Sequence, residues 1–368
     1  MAISRSRRHK EPAPRLRILS KRKRGSADAY ALRRAMTEEE RELWASPYLR
    51  MLSTPLRVSA VGERHLPTAF LIRLSAKRVP GPHKAIVNVV PDTLEHPAYR
   101  HQRPGSGVYI PCRGDAIRAM KEKSVERLLH HSARVQSGLE EQISHLLRVR
   151  VLQELRILVQ RLRRKPWGAT DAPLLRRLTR TEWKELQASG TIPQEDAAAV
   201  LVVPPVNRNP ATNARPEPSM SSLPLPSAEA PSKDRRPQLP VSTLMPTTTS
   251  GAFEDDELSV ILPQSKVPLY NGVALFPSPQ QRAACHKSLT ELQGHPNAAS
   301  EETRLPEASG RVRGDEKGSH AFLLRSNAKT LLRADTVPLA VALWRLRMWE
   351  GQGWDIEGPE YLGPWGAH

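Results

Sequence analysis

Between Leu139 and Leu162 the apolar residues Leu139, Ile143, Leu147, Val151, Leu155, Leu158 and Leu162 recur at helical spacing, which places them on one face of a helix. The surrounding stretch, Asp115 to Lys165, contains no proline and a single glycine, Gly138. A lone glycine weakens a helix by roughly 1 kcal/mol relative to alanine. The stretch therefore reads either as one helix of roughly 75 Å or as two helices meeting at Gly138. Arg148, Arg156 and Arg163 share a second face, and Arg150 with Arg161 a third. One side calls for a core and the others turn guanidinium groups outward.

The rest of the chain is patterned around this stretch. Thr37 followed by Glu38, Glu39 and Glu40 is a helix start, with Pro47 and Pro55 forcing a bend or an end. Ala69–Leu74 is apolar enough to be buried, Ala85–Val90 is β-branched like a short strand, and Val108–Ile110 adds another. Pro166-Trp167-Gly168 ends the long stretch. Asp171 is expected to cap a second helix running through Leu174, Leu178 and Leu186 to a stop at Gly190. Ala197–Val203 is a buried-strand candidate, Pro279 opens a further helix, and Val337–Trp349 reads as a helix. Trp344, Trp349 and Trp354 cluster at that end, and large aromatic rings favour packing onto the first half.

These elements predict a mainly α fold with a few short strands: one interrupted helical domain built around a long basic helix, with disordered inserts and a disordered N-terminus. The expected organisation is a basic N-terminus over 1–36, a helix-rich basic core over 37–205, and a Pro/Ser/Thr-rich linker over 206–257. A strand-turn-helix over 258–294 returns to the core, a flexible insert covers 295–318, and a Trp-rich helix and tail cover 319–368. The linker composition cannot bury enough apolar surface to offset ordering.

Charge adds a partner class. The chain holds 56 Lys and Arg against 38 Asp and Glu, a formal net charge of +18. Residues 1–27 and 113–165 carry almost all of that excess. A localised positive field attracts polyanions, and nucleic acid is a common one. Arginine predominates over lysine in the long stretch, which suits bidentate phosphate contact. The candidate nucleic-acid-binding residues are Arg148, Arg150, Arg156, Arg161, Arg163, Arg164 and Lys165. Phosphate neutralisation is their role, because no pattern of alternating aromatics for base stacking occurs.

Other chemistry is not indicated. The sequence lacks HExxH, GxSxG, GxGxxG, CxxC and a Walker lysine, so no catalytic residue, metal ligand or cofactor is assigned. His131 and His145 lie too far apart on a continuous helix to share an ion. Cys112 and Cys285 form no pair pattern. The loop Arg103–Arg113, with Gly105 and Gly107, reads as a structural turn rather than a phosphate loop. No apolar run approaches the roughly 20 residues of a membrane-spanning helix.

Gly107, Val108, Ile110, Pro111 and Arg113 ahead of a basic helix resemble a Gly-Val-x-Ile-Pro-x-Arg loop of fungal mitochondrial proteins of the genetic-interactor-of-prohibitin, required-for-respiratory-growth kind. The resemblance covers about a sixth of the chain. It implies a non-enzymatic accessory role in mitochondrial genome maintenance or expression, with RNA or DNA, including the mitochondrial ribosome, as partner. The Arg-rich N-terminus has the composition of a transit peptide, whereas Lys21–Arg24 suits a nuclear localisation signal. The alternatives are a nuclear RNA- or chromatin-associated protein, and a scaffold meeting protein partners through the apolar face of the long helix.

Overall fold

The computed structural model describes residues 36–80, 86–100, 105–164, 173–194, 196–208, 213–223, 240–247, 265–293 and 317–351. The chain divides into two units, Met1–Thr37 and Glu38–His368, and every described helix and strand belongs to the second.

That unit begins with α1 (Glu38–Ala45) and α2 (Pro47–Leu52). Ser46 separates them by capping α2 at the Leu49 amide, with Pro47 at the first helical position. A hairpin of β1 (Leu56–Val58) and β2 (His65–Pro67) follows. Next come β3 (Leu71–Val79), β4 (Ile86–Asp92), β5 (Val108–Pro111), α3 (Ala116–Glu122) and β6 (Ala133–Arg134). The long helix α4 spans Leu139–Arg164. Then follow β7 (Leu175–Thr179), α5 (Arg180–Ser189), β8 (Ala197–Val202), β9 (Ser242–Pro246), β10 (Lys266–Asn271), α6 (Gly272–Leu275) and α7 (Pro279–Gln293). β11 (Gly318–Arg325), α8 (Ala328–Arg333) and α9 (Val337–Trp349) complete the unit.

The strands build two main sheets. A curled four-stranded sheet has the order β5-β3-β4-β6, with β3 antiparallel to β4 and β5, and β4 parallel to β6. A five-stranded mixed sheet has the order β7-β11-β8-β10-β9. Its β8–β10 pair is parallel and its other pairs are antiparallel. With the β1–β2 hairpin there are three sheets among the described residues, so the architecture is α/β and not the mainly α fold the helical pattern predicts.

α4 is the axis of the core. All seven apolar residues of its predicted face are buried, from Leu139 to Leu162. So are Val149, Leu152, Ile157 and Val159, and also Gln153 and Glu154. The helix packs against α9 and α7 and touches β4. Burial extends well beyond a single face, so the expected surface of outward guanidinium groups is confined to part of the helix. The apolar face proposed as a docking site for protein partners is core.

The stretch before α4 is not helical throughout. It contains α3, a 3₁₀ turn at Val125–Leu128 and the two residues of β6, and α4 starts immediately after Gly138. The helix expected from Asp171 begins later, because Leu175–Thr179 pairs with β11 as a strand. Asp171 lies outside the described residues. Thr179 caps α5 in a reciprocal capping box with Glu182, and Gly190 ends it in the left-handed conformation at φ 67°.

The expected linker over 206–257 contributes β9, whose backbone pairs with β10 from Ser242 to Pro246. Strand pairing needs few apolar side chains at that position, and only Ser242 and Met245 of β9 are buried. The expected boundaries of the C-terminal helix match α9. Trp349 is buried there, and the Trp344 ring meets Tyr48 edge-on at 5.0 Å. Trp354 lies outside the described residues.

Candidate basic surface

The seven cations assigned from sequence separate into different environments. Arg148 is an internal clamp. Its Nε donates to the Leu275 carbonyl at 2.7 Å, one terminal nitrogen bonds Ser144, and the other pairs with Glu350 at 2.8 Å. It thereby ties α4 to α6 and to the end of α9. Arg150 pairs with the buried Glu154 at 2.7 Å, one turn along α4, and reaches the Leu94 carbonyl at 3.4 Å. Arg163 is exposed but pairs with Glu291 of α7 at 3.1 Å. Arg161 and Arg164 are exposed and Arg156 is half-buried. None of these three forms an ion pair with another described residue. Lys165 lies outside the described residues.

A second group of cations, absent from the sequence assignment, lines a cleft of about 700 Å³ on the outer face of the curled sheet. Along β3, Ile72 and Leu74 point into the core, while Arg73, Ser75 and Lys77 alternate onto the opposite face. The signal was present in the period-two pattern of Leu71–Val79. It is overlaid there by the apolar content of Ala69–Leu74. Arg73 pairs with Asp92 across the β3–β4 ladder at 3.1 Å and donates to the Gly105 carbonyl at 2.6 Å. That contact holds the Gly105–Gly107 turn against the sheet. A Cβ at position 107 would stand 2.5 Å from Arg73 Nε and 3.1 Å from the Leu74 carbonyl oxygen, so Gly107 leaves room for the guanidinium. Lys77 and Arg78 line the same cleft and form no ion pair with another described residue. Arg100 also lines it while paired with Glu95 at 2.6 Å.

Residues 93–100 join this cleft to α4. The His96 amide donates to Gln153 Oε1 at 2.7 Å, and His96 Nδ1 accepts from the Ala98 amide at 3.0 Å. The latter bond requires that nitrogen to be unprotonated. Burial lowers the His96 pKa below the ordinary histidine value, with Glu154 opposing and Arg150 and Arg161 reinforcing. Tyr99, at the tip of this turn, is 40% exposed and lines the cleft. Burial raises its pKa, and the nearby Arg156 opposes that shift. The cleft cations and Arg156 and Arg161 of α4 therefore flank one tethered turn.

Both thiols are buried, and burial pushes Cys112 up to about 11 and Cys285 up to about 12. His130 and His131 stack on each other at 4.2 Å. Among the described residues no group of three His, Cys, Asp or Glu is placed to hold a metal ion, and no helix is long and apolar enough to cross a membrane. Compared with known proteins, the chain matches no family model, no curated protein and no solved structure.

Proposed function

We propose that this protein binds the phosphate backbone of nucleic acid as a non-catalytic accessory factor of mitochondrial genome maintenance or expression. The carrying observation is the grouping of cations that lack an ion-pair partner among the described residues. Arg156 and Arg161 on α4, and Lys77 and Arg78 in the cleft, flank the turn at His96–Arg100, and Arg164 is exposed one turn beyond Arg161 on the same helix. Such cations can exchange their counterions for phosphates, so affinity falls steeply with salt. Arg148 and Arg150 leave the binding set because they are committed to internal partners.

The mitochondrial setting rests on the N-terminal composition and the Gly107–Arg113 resemblance; Lys21–Arg24, which supports the nuclear alternative, lies outside the described residues. A C-terminally tagged chain localising to mitochondria supports it, and nuclear accumulation overturns it. For binding, the test is charge reversal at Arg161→Glu and Arg164→Glu in the full chain. The expected result is about tenfold or greater loss of affinity for an RNA probe at moderate salt, with the log–log salt slope flattened by about 1.4. Unchanged affinity in the folded variant contradicts the assignment.

A further inference from the structure

We infer that the cleft on the outer face of the curled sheet takes a single-stranded segment of nucleic acid, with Tyr99 as a stacking platform for a base. This deepens the phosphate-binding reading and rests on it.

Three observations distinguish a single strand from a duplex. The first is shape. The cleft lies between β3 and residues 99–100 and 105–106, and Arg73 within it is only 16% exposed. A cleft of about 700 Å³ falls within the ~300–1,000 Å³ of small-ligand pockets, a scale suited to a nucleotide or two. An RNA duplex keeps its bases stacked and is recognised across its wide minor groove, so it cannot enter such a recess.

The second is the aromatic ring. Tyr99 is 40% exposed on a turn held in place by the His96–Gln153 and His96–Ala98 bonds. The Tyr99 amide itself donates to the His96 carbonyl at 2.9 Å. A tethered ring beside cations offers a base a π-face without requiring a particular base.

The third is the division of labour among the cations. Arg73 is held by Asp92 and Gly105 and shapes the wall. Lys77 and Arg78 line the same space and form no ion pair with another described residue, which suits them to backbone phosphates flanking a stacked base. Polar Ser75 on the floor supplies a hydroxyl to the same space.

The test uses the full chain and two fluorescein-labelled probes, a 12-nucleotide oligouridylate and a 12-base-pair RNA duplex, read by anisotropy. The single strand is expected to bind about tenfold more tightly than the duplex. Tyr99→Ala should cost roughly five- to a hundredfold with the single strand, leaving duplex affinity and the salt slope unchanged, and Tyr99→Phe should retain tight binding. Lys77→Glu with Arg78→Glu should weaken the single strand and flatten its salt slope.

Equal affinity for both probes overturns the inference, as does insensitivity to Tyr99→Ala or equal losses with both probes. If the cleft variants have no effect while Arg161→Glu with Arg164→Glu still weakens binding, the cleft inference fails and the phosphate-binding reading stands. If neither probe binds in a salt-dependent way, both fail.

Discussion

Arg148 and Arg161 lie on the same helix, carry the same charge and belong to the same set of cations that the sequence assigns to phosphate. The structure gives them opposite tasks. Arg148 holds the Leu275 carbonyl, Ser144 and Glu350 with only 12% of its side chain exposed, whereas Arg161 is exposed. Arg148→Ala leaves partly buried acceptors without their charged donor, so it should lower stability by about 2 kcal/mol. It should leave the salt slope of nucleic-acid binding unchanged. The reversals at Arg161 and Arg164 should do the opposite, because exposed substitutions away from such contacts shift stability by about 0.5 kcal/mol or less. Denaturant melts and binding titrations on the same preparations separate the two classes. The distinction was not legible in the chain because it depends on Leu275 and Glu350, residues distant in sequence that the fold brings to Arg148. The same holds for Arg73, whose partners Asp92 and Gly105 appear only once β3, β4 and the following turn are assembled.

At the scale of elements, strongly periodic segments were readable and pairing-dependent ones were not. The seven-residue apolar face of α4 follows directly from its spacing, and α9 from a largely apolar run with Pro338 in its first turn. Leu175–Thr179 looked like the opening of a helix, but β11 offers it an edge and it becomes β7. β11 itself, the neighbour of both β7 and β8, lay hidden at the border of an expected flexible insert. β9 sits among prolines and threonines and is defined by its bonds to β10 more than by its own side chains. Without these pairings the same pattern predicts a helical fold, and with them the architecture is α/β. Since α4 is the common wall of the core, Leu155, which is fully buried, should be a sensitive position. Leu155→Ala is expected to cost about 2–5 kcal/mol through lost transfer energy and the cavity left behind, measurable as a lowered denaturant midpoint. A change under about 1 kcal/mol would show that α4 is not the packing axis.

At the scale of the whole molecule, net charge and partly desolvated histidines set the response to solvent. His96, His145, His286 and His320 all have their pKa lowered below 6.5, with burial the largest cause at each. The folded state thus favours neutral imidazoles. Their contribution to stability is fully present above about 6.5 and is lost as pH falls through the lowered folded values. The melting temperature should therefore decline between pH 7 and pH 5, and a flat or rising profile would argue against this partial desolvation. The formal charge of +18 was visible from composition alone, but its division between internal ion pairs and cations available to a ligand was not. That division is the basis of the functional reading, and the salt dependence of binding probes it directly. For the full chain with single-stranded RNA, the logarithm of affinity should fall against the logarithm of salt with a slope of about −3 or steeper, as four or more phosphate contacts require. A slope near zero would contradict the account, because cations that displace no counterions are not holding a phosphate backbone.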